Sequence, residues 1–277
     1  MSTLNLTPDV LRRLQKKELD SIVYFDRFCR ENGLTYFLLG GCVIGALRHG
    51  GFIPWDDDID VIMPRNDYRR MLRIWRDDER FRMLWPDGKT VTHNPFATLV
   101  DTSVHLVKEN QKDLDIPRGI VTDIFPLDGC PDGRLRRYRQ YLDAMVYSLY
   151  ATEVVPVNHG KAVEIIGRLM LSLIPSRKAR TRIFRRAEKR LSRYRFDTHA
   201  YCTELYAGPH YMLNRYPQEA FDKAVYHTFE GLQLPLPQGY DTYLSMAFGD
   251  YMTLPPKELQ VPHHDLSELN IDQLPEL

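Results

Sequence analysis

The sequence predicts an α/β (α+β) fold, with a mixed-sheet core and an added helical region. Short apolar segments rich in β-branched and aromatic residues alternate with helical patterns over about the first 130 residues, and a long helical stretch follows them. Such alternation is typical of a sheet that helices cover. The 277 residues are 43% hydrophobic, which is enough material to bury a core and excludes disorder for most of the chain.

The first predicted element is a helix that starts at Thr7-Pro8-Asp9, where threonine caps the helix and proline takes its first position. Asn32-Gly33 supplies its end. The apolar segment Thr35–Leu39 predicts a buried strand, because it is short and rich in aromatic residues. After a Gly-Gly break, Cys42–Arg48 is expected to form one or two helical turns.

Two further strands and a helix follow in the predicted core. Asp58–Met63 has the β-branched content of a strand, and Arg65–Trp75 returns to a helical pattern. Gly119–Phe125 predicts another strand, which Pro126 is expected to close.

The rest of the chain is predicted to be mostly helical from Leu135 to Tyr150 and from Lys161 to Tyr194, with interruptions at Pro156 and Pro175. No elements are assigned to the last 80 residues. We therefore expect three parts: a mixed-sheet core over 1–133, a basic helical region over 134–200, and a C-terminal segment over 201–277 that packs back on the core.

Charge is balanced overall, with 37 basic and 37 acidic residues, but it is unevenly distributed. Residues 134–195 hold 16 basic and four acidic side chains, a net charge of +12, so the rest of the chain carries −12. An apolar stretch followed by a basic one predicts peripheral membrane contact through 162–195. The alternative is a helix packed on the acidic part with its arginines in water or in salt bridges. Nucleic-acid binding is not expected, because no aromatic-basic recognition motif accompanies the charge.

The four cysteines are widely spaced and form no CxxC pair, so free thiols are expected rather than zinc sites or disulfides. No apolar run approaches the roughly 18 residues of a membrane span, and the first 20 residues contain no apolar signal-peptide core. The chain is therefore predicted to be cytoplasmic.

The chemistry is concentrated in one stretch, FLLGGCVIGALRHGGFIPWDDDIDVIM, which holds five glycines and four aspartates. Residues two apart in a strand point the same way, so Asp58 and Asp60 are expected to project together, with Asp56 beside them. Carboxylates this close repel one another, and a divalent cation such as Mg²⁺ relieves the repulsion.

The glycines complement these acids. A turn at Gly40-Gly41 before a helix lets backbone N–H groups approach an anion, which the helix N-terminus also favours. A phosphate site next to metal-binding carboxylates indicates phosphoryl or nucleotidyl transfer. The structural alternative is a tight turn followed by a solvated acidic loop, but the alternation of Asp58 and Asp60 with buried-type residues favours the functional interpretation.

The pattern GG…G-x-x-RH-x-GFIPWDDDID resembles the signature of the LicD family, which includes fukutin-related proteins and belongs to the nucleotidyltransferase superfamily of DNA polymerase β. Ile120–Gly129 (IVTDIFPLDG) resembles the next motif of the family and implies a third carboxylate at Asp123. Three rival acids, Asp101, Asp115 and Asp128, lie outside such an apolar strand pattern. FGDYM and the PHH segment with His263 and His264 also resemble family features, without an assigned role.

The resemblance implies that 1–133 is a nucleotidyltransferase-fold catalytic core and that the protein is a metal-dependent phosphotransferase. It would move phosphocholine, or a similar alcohol phosphate, from CDP-choline or another CDP-alcohol to a sugar hydroxyl and release CMP. The acceptor would be a glycan or lipid-linked glycan precursor, as in teichoic acid or lipopolysaccharide modification. Two alternatives remain: a nucleotidyltransferase that moves NMP from an NTP to a small molecule or protein, and a non-catalytic nucleotide-binding protein.

The resemblance also implies residue roles. One or two Mg²⁺ ions, with Mn²⁺ as the alternative, would be held by Asp58, Asp60 and Asp123, and Asp56 would join them. Asp123 is the expected general base. The expected substrate-binding residues are Gly40, Gly41, Arg48, His49 and Trp55. For His49 and Trp55 the alternative role is local packing. For Asp56 and Asp57 the alternative is that they cap the metal-binding residues without binding the ion themselves.

Overall fold

The computed structural model describes residues 6–155, 161–262 and 264–276. Pro156 and His263, both singled out in the sequence, lie outside the described residues. The strands are β1 (Phe37–Leu38), β2 (Ile59–Pro64), β3 (Phe81–Leu84), β4 (Ala97–Asp101), β5 (Leu106–Lys108), β6 (Ile120–Cys130), β7 (Tyr201–Glu204), β8 (Tyr216–Pro217), β9 (Ala224–Phe229), β10 (Leu232–Pro237) and β11 (Leu266–Leu269). The helices are α1 (Pro8–Glu31), α2 (Gly40–His49), α3 (Arg65–Ile74), α4 (Arg134–Thr152), α5 (Lys161–Leu173), α6 (Arg177–Leu191) and α7 (Tyr240–Phe248).

A seven-stranded mixed sheet forms the centre of the fold. Its order is β1-β2-β6-β4-β3, and β7 joins the second half of β6 and pairs in turn with β8. The β2–β6 pair is parallel and the other pairs are antiparallel. Two antiparallel two-stranded sheets lie outside it: β9–β10, which are consecutive in the chain, and β5–β11, which are distant in sequence. The predicted α+β class is confirmed.

Helix α1 follows its capping signals. Pro8 is its first residue, the Thr7 hydroxyl accepts a hydrogen bond from the Val10 N–H at 3.4 Å, and Gly33 beyond its end has a left-handed φ of 57°. Its buried face is not wholly apolar, because Gln15, Glu18 and Ser21 are buried among leucine, isoleucine and phenylalanine side chains.

The predicted strand at Thr35–Leu39 is confirmed as the shorter β1, and the one at Asp58–Met63 as β2. The expectation that Pro126 closes its strand is wrong, since β6 continues to Cys130. One edge of β6 pairs with β4 up to Ile124 and with β7 from Leu127. Proline lacks an N–H, and here it falls in the gap between two partner strands, where no ladder bond is required of it.

The helical pattern over 161–194 forms two helices, α5 and α6, with Pro175 between them. Helix α6 packs mainly on α4, and the chain returns to the sheet with β7 at Tyr201. The domain boundaries after residues 133 and 200 stay a prediction. All four cysteines are buried free thiols. Among the helices of the described ranges, none is long and apolar enough to span a bilayer.

Candidate active site

The parallel pair of β2 and β6 sets the geometry of the site. Asp60 lies directly opposite Asp123 in the register of these two strands. Neighbouring strands are about 5 Å apart and residues in register share a face, so the two carboxylates lie side by side. Asp58 immediately precedes β2, two residues before Asp60 and on the same side. The structure thus brings together the three carboxylates on which the sequence analysis focused.

The turn that leads into β2 adds two more acids. Asp56, Asp57 and Asp58 each offer a carboxylate oxygen, and these oxygens lie within 4.8 Å of one another. Asp56 and Asp57 are buried, at 6% exposure each. The side chain of Gln15 in α1 holds the turn in place, since its amide donates to the backbone oxygen of Asp56 at 2.8 Å.

Helix α2 begins beside these acids. A Cβ added to Gly41 would lie 2.6 Å from a carboxylate oxygen of Asp56, so only glycine leaves space for that carboxylate at the helix N-terminus. The positive end of the helix dipole favours a negative group there. The neighbouring Gly40 N–H donates to the Tyr243 hydroxyl at 3.2 Å, which links the start of α2 to α7. The first two residues of α2 therefore contact both the acidic site and the C-terminal segment.

The crowding of these acids changes their protonation. Burial, followed by the charges of Asp58 and Asp57, raises the pKa of Asp56 to about 8. Burial and the charges of Asp58 and Asp123 raise the pKa of Asp60 well above its usual range. Burial also raises the pKa of Asp58, although His264 and another cation oppose the shift. The Asp56 carboxyl therefore favours its protonated form at neutral pH unless a cation compensates for the charge.

Two basic side chains enter the site from distant parts of the chain. The Lys108 ammonium at the end of β5 lies 3.7 Å from Asp123, and its side chain is only 11% exposed. The His264 ring lies 3.3 Å from Asp57 and 3.7 Å from Asp58, and its backbone N–H donates to Asp57. Sequence reasoning missed Lys108 entirely and left His264 without a role, because no local spacing relates either residue to the aspartates.

Thr98 and Glu18 are two further site residues that the sequence analysis missed. The Thr98 hydroxyl in β4 donates to Asp123 at 2.8 Å, in register across the β4–β6 pair. Glu18 lies on the buried face of α1 with 2% exposure, and one of its carboxyl oxygens has no hydrogen-bond partner among the described residues. Burial and the charges of the Asp56–Asp58 run raise the pKa of Glu18 well above its usual range. Only the position of Glu18 on the otherwise mostly apolar face of α1 could have indicated that it belongs to the site.

The rival acids have other partners or lie elsewhere. Asp128 accepts two hydrogen bonds from the buried Arg65, at 2.8 and 2.6 Å. Asp101 accepts hydrogen bonds from an arginine and a serine, and Asp115 is exposed on the surface. Among the four candidates, Asp123 is therefore the one that the fold places beside β2.

The remaining predicted substrate-binding residues lie at the opposite end of α2. Arg48 is about 12 Å further along the helix axis than Gly40, given a rise of about 1.5 Å per residue. Its guanidinium donates to the backbone oxygen of Tyr251, within the FGDYM segment, at 3.0 Å. The rings of His49 and Trp55 lie near each other, with centroids 6.5 Å apart. Among the described residues, Arg48 and His49 form no ion pair with the carboxylates, and Trp55 directly precedes Asp56 in the chain. The contact of all three side chains with substrate stays a prediction.

Acidic side chains along a strand of a mixed sheet, beside a helix that begins with two glycines, are typical of transferases of the nucleotidyltransferase class. Residues 33–127 match the family model described as LicD/FKTN/FKRP, nucleotidyltransferase domain. The chain is also 28% identical to the lipopolysaccharide cholinephosphotransferase LicD of Haemophilus influenzae over 281 aligned residues, which cover 92% of this chain and 96% of the relative. The resemblance to the LicD family is confirmed, and the chain is a transferase similar to LicD.

Proposed function

We propose that this protein transfers phosphocholine, or a similar alcohol phosphate, from a CDP-activated donor to a sugar hydroxyl of a cell-surface glycan precursor and releases CMP. The observation that carries the proposal is the register of β2 and β6, which sets Asp60 beside Asp123 with Asp58 and the neighbouring acids next to them. The likeness to a cholinephosphotransferase along nearly the whole chain supports phosphocholine as the transferred group.

The acidic cluster fits a divalent cation. Asp56, Asp57 and Asp58 offer carboxylate oxygens within 4.8 Å of one another, and burial and neighbouring charges raise the pKa of Asp56 and of Asp60. Clustered carboxylates of this kind are ligands that Mg²⁺ or Mn²⁺ takes. We propose that Asp58, Asp60 and Asp123 hold one or two such ions, with Asp56 as a further ligand. When bound, the ion offsets negative charge on the donor diphosphate and on the departing CMP.

In the transfer step, the acceptor hydroxyl oxygen forms a bond to the phosphorus that carries the alcohol group, and the P–O bond to CMP breaks. The electron pair of that bond leaves with CMP, and the hydroxyl proton passes to a carboxylate. We assign this proton to Asp123, because the Thr98 hydroxyl at 2.8 Å and the Lys108 ammonium at 3.7 Å hold its carboxylate in a fixed position.

Lys108 provides a fixed positive charge in a site that binds a polyanion. A largely buried ammonium next to Asp123 can turn to a phosphate oxygen of the donor once a divalent cation neutralises the carboxylates. We therefore propose Lys108 as a donor-binding residue. Trp55 remains a proposed contact for the choline cation, by cation–π attraction.

The acceptor in this proposal is a glycan or a lipid-linked glycan precursor, met at the inner face of the membrane. The relative acts on lipopolysaccharide, as its name states, and this supports a glycan acceptor. No residue of the acidic site distinguishes choline from ribitol or glycerol, so donor selectivity has to be measured.

The test is CMP release from CDP-choline, CDP-ribitol and CDP-glycerol, each with Mg²⁺ and with EDTA. We expect metal-dependent CMP release from at least one of these donors, and loss of release in Asp58→Asn and Asp60→Asn. The matched control is Asp115→Asn, which removes an exposed acid and should keep full activity.

Two outcomes would contradict the proposal. Pyrophosphate release from CTP or ATP, without turnover of any CDP-alcohol, would assign the protein to nucleotidyl transfer. Full activity of Asp60→Asn would remove the acidic site from the mechanism.

A further inference from the structure

We propose that the outer face of α5, together with the basic surface of α6, docks this protein onto an anionic lipid surface. The proposal goes beyond the transfer reaction and does not depend on its chemistry. It rests on an exposed apolar row, on the hydrogen bonds that hold this row outward, and on the charge that surrounds it.

The apolar row runs along one side of α5. Ile165, Ile166, Leu169 and Leu173 are 64%, 56%, 55% and 67% exposed. Ile165, Leu169 and Leu173 are four residues apart and Ile166 is three residues before Leu169, so the four side chains share one face of the helix. Four large aliphatic side chains exposed together on one helix face form a contiguous patch rather than the scattered exposure that is normal for a soluble surface.

Contacts on the other side of α5 hold this row outward. Leu171 is buried against the core, and the Tyr150 hydroxyl of α4 donates to the backbone oxygen of Met170 at 3.1 Å. The Arg180 guanidinium of α6 donates to the backbone oxygens of Leu171 and Ile174, at 2.9 and 2.7 Å. The helix is thus fixed by α4 and α6, and it cannot turn its apolar row inward without breaking these bonds.

The two consecutive helices α5 and α6 are strongly basic. Residues 161–195 contain 12 basic and two acidic side chains. Those basic side chains that are exposed on α5 and α6 are Lys161, Arg168, Arg177, Lys178, Arg182, Arg185, Arg186 and Lys189. In the part of the chain that the structure describes, Arg177, Arg182 and Arg186 form no ion pair. Their charge is available to an external anionic surface.

The apolar row and the basic charge together favour a lipid surface over a second copy of the chain as the binding partner. In a symmetric dimer the same patch meets itself, so two basic surfaces would face each other and repel. An interfacial helix on an anionic membrane has the observed pattern, with aliphatic side chains on one face and lysine and arginine around them. The membrane is therefore the occupant that satisfies both the apolar row and the charge.

The experiment is co-sedimentation of the full chain with phosphatidylcholine vesicles, prepared with and without phosphatidylglycerol. We expect binding only when phosphatidylglycerol is present, and weaker binding at high salt because screening shortens the range of the attraction. Ile165→Ser/Leu169→Ser and Arg182→Gln/Arg186→Gln should each lower the partition coefficient by at least about tenfold.

Matched controls lie elsewhere on the surface. Leu259→Ser removes an exposed aliphatic side chain and Lys257→Gln removes an exposed charge, and both should bind vesicles like the wild type. All variants should release CMP from the donor in solution at the wild-type rate, which separates failure of this proposal from failure of the proposed function.

Three results would overturn the proposal. These are binding that does not depend on phosphatidylglycerol, wild-type binding by both double variants, and a dimer in sedimentation equilibrium that Ile165→Ser/Leu169→Ser dissociates while no vesicle binds. The last result would assign the face to a second copy of the chain.

Discussion

Replacing Asp56 with asparagine should stabilise the metal-free protein at alkaline pH. The pKa of Asp56 is about 8 in the folded protein, against 3.8 for an aspartate side chain in the unfolded chain. A carboxyl whose pKa is raised by folding stabilises the fold fully below the unfolded pKa, and this contribution is lost as pH rises through the folded pKa. Between pH 4 and 8 the wild type should therefore lose stability, and the asparagine variant should lose less.

The size of the effect follows from the shift. At about 1.4 kcal/mol per pKa unit, the raised pKa of Asp56 corresponds to about 4 kcal/mol at pH 7. This is an upper bound, because the neighbouring carboxyls titrate together and share the protons. Asparagine keeps the size of the side chain and removes the charge, so Asp56→Asn should recover part of this free energy at pH 8 and little of it at pH 5.

The assay is urea unfolding of both proteins at pH 5 and pH 8, in EDTA and in Mg²⁺. Mg²⁺ should raise the free energy of unfolding of the wild type at pH 8 and should do so less in the variant, which has lost one ligand. Asp115→Asn is the control for removing an acid outside the site.

The refuting result is equally specific. If Asp56→Asn shows the same change in stability between pH 5 and pH 8 as the wild type in EDTA, burial and the neighbouring charges do not raise the pKa of Asp56 as the structure indicates. The difference between the two proteins is the relevant quantity, since Glu18 and other buried acids contribute to the slope of both.

Three further variants test separate parts of the structure. Gly41→Ala should lower CMP release about hundredfold with wild-type stability, because the added Cβ displaces the Asp56 carboxylate 2.6 Å away. In urea unfolding, the wild type should lose about 3 kcal/mol of unfolding free energy between pH 5 and pH 9, because burial raises the pKa of Glu204 to about 7. Glu204→Gln should not show this loss. Lys108→Met should lower CMP release and tighten Mg²⁺ binding in calorimetry, because it removes a cation beside the acids.

Each variant has a contrasting control. Gly45→Ala should destabilise the fold by about 2 kcal/mol, since its Cβ would lie 2.3 Å from a backbone oxygen, so equal losses of stability in Gly41→Ala and Gly45→Ala would contradict the first prediction. An unchanged pH slope in Glu204→Gln would show that this carboxyl does not titrate near pH 7. Weaker Mg²⁺ binding in Lys108→Met would mean that the lysine supports the metal site.

The parts of the fold that the sequence predicted are those with local signals. The Thr7-Pro8 cap fixed the start of α1, and the alternation in Asp58–Met63 located β2, because capping and side-chain alternation depend on neighbours in the chain. Asp123 could be selected among four acids since it alone lay in an apolar strand pattern. The register that sets it opposite Asp60 confirms that the two acids are neighbours.

The parts that could not be predicted depend on tertiary register. Lys108 is far from the aspartates in sequence, and Glu18 and His264 lie outside the matched family segment 33–127. No spacing rule relates them to Asp58, because only the packing of α1, β5 and the C-terminal segment around β2 brings them near. The continuation of β6 through Pro126 depends likewise on where β4 ends and β7 begins.

Helix α5 shows that a helical apolar pattern alone does not distinguish a core helix from an interfacial one. Periodicity tells which side chains share a face, and an apolar face normally packs on the core. Here the hydrogen bonds from Tyr150 and Arg180 fix the opposite face inward, so Ile165 and Leu169 remain in contact with solvent. The same sequence pattern therefore indicates a core helix or an interfacial one, and it is the set of partners on the inner face that distinguishes them.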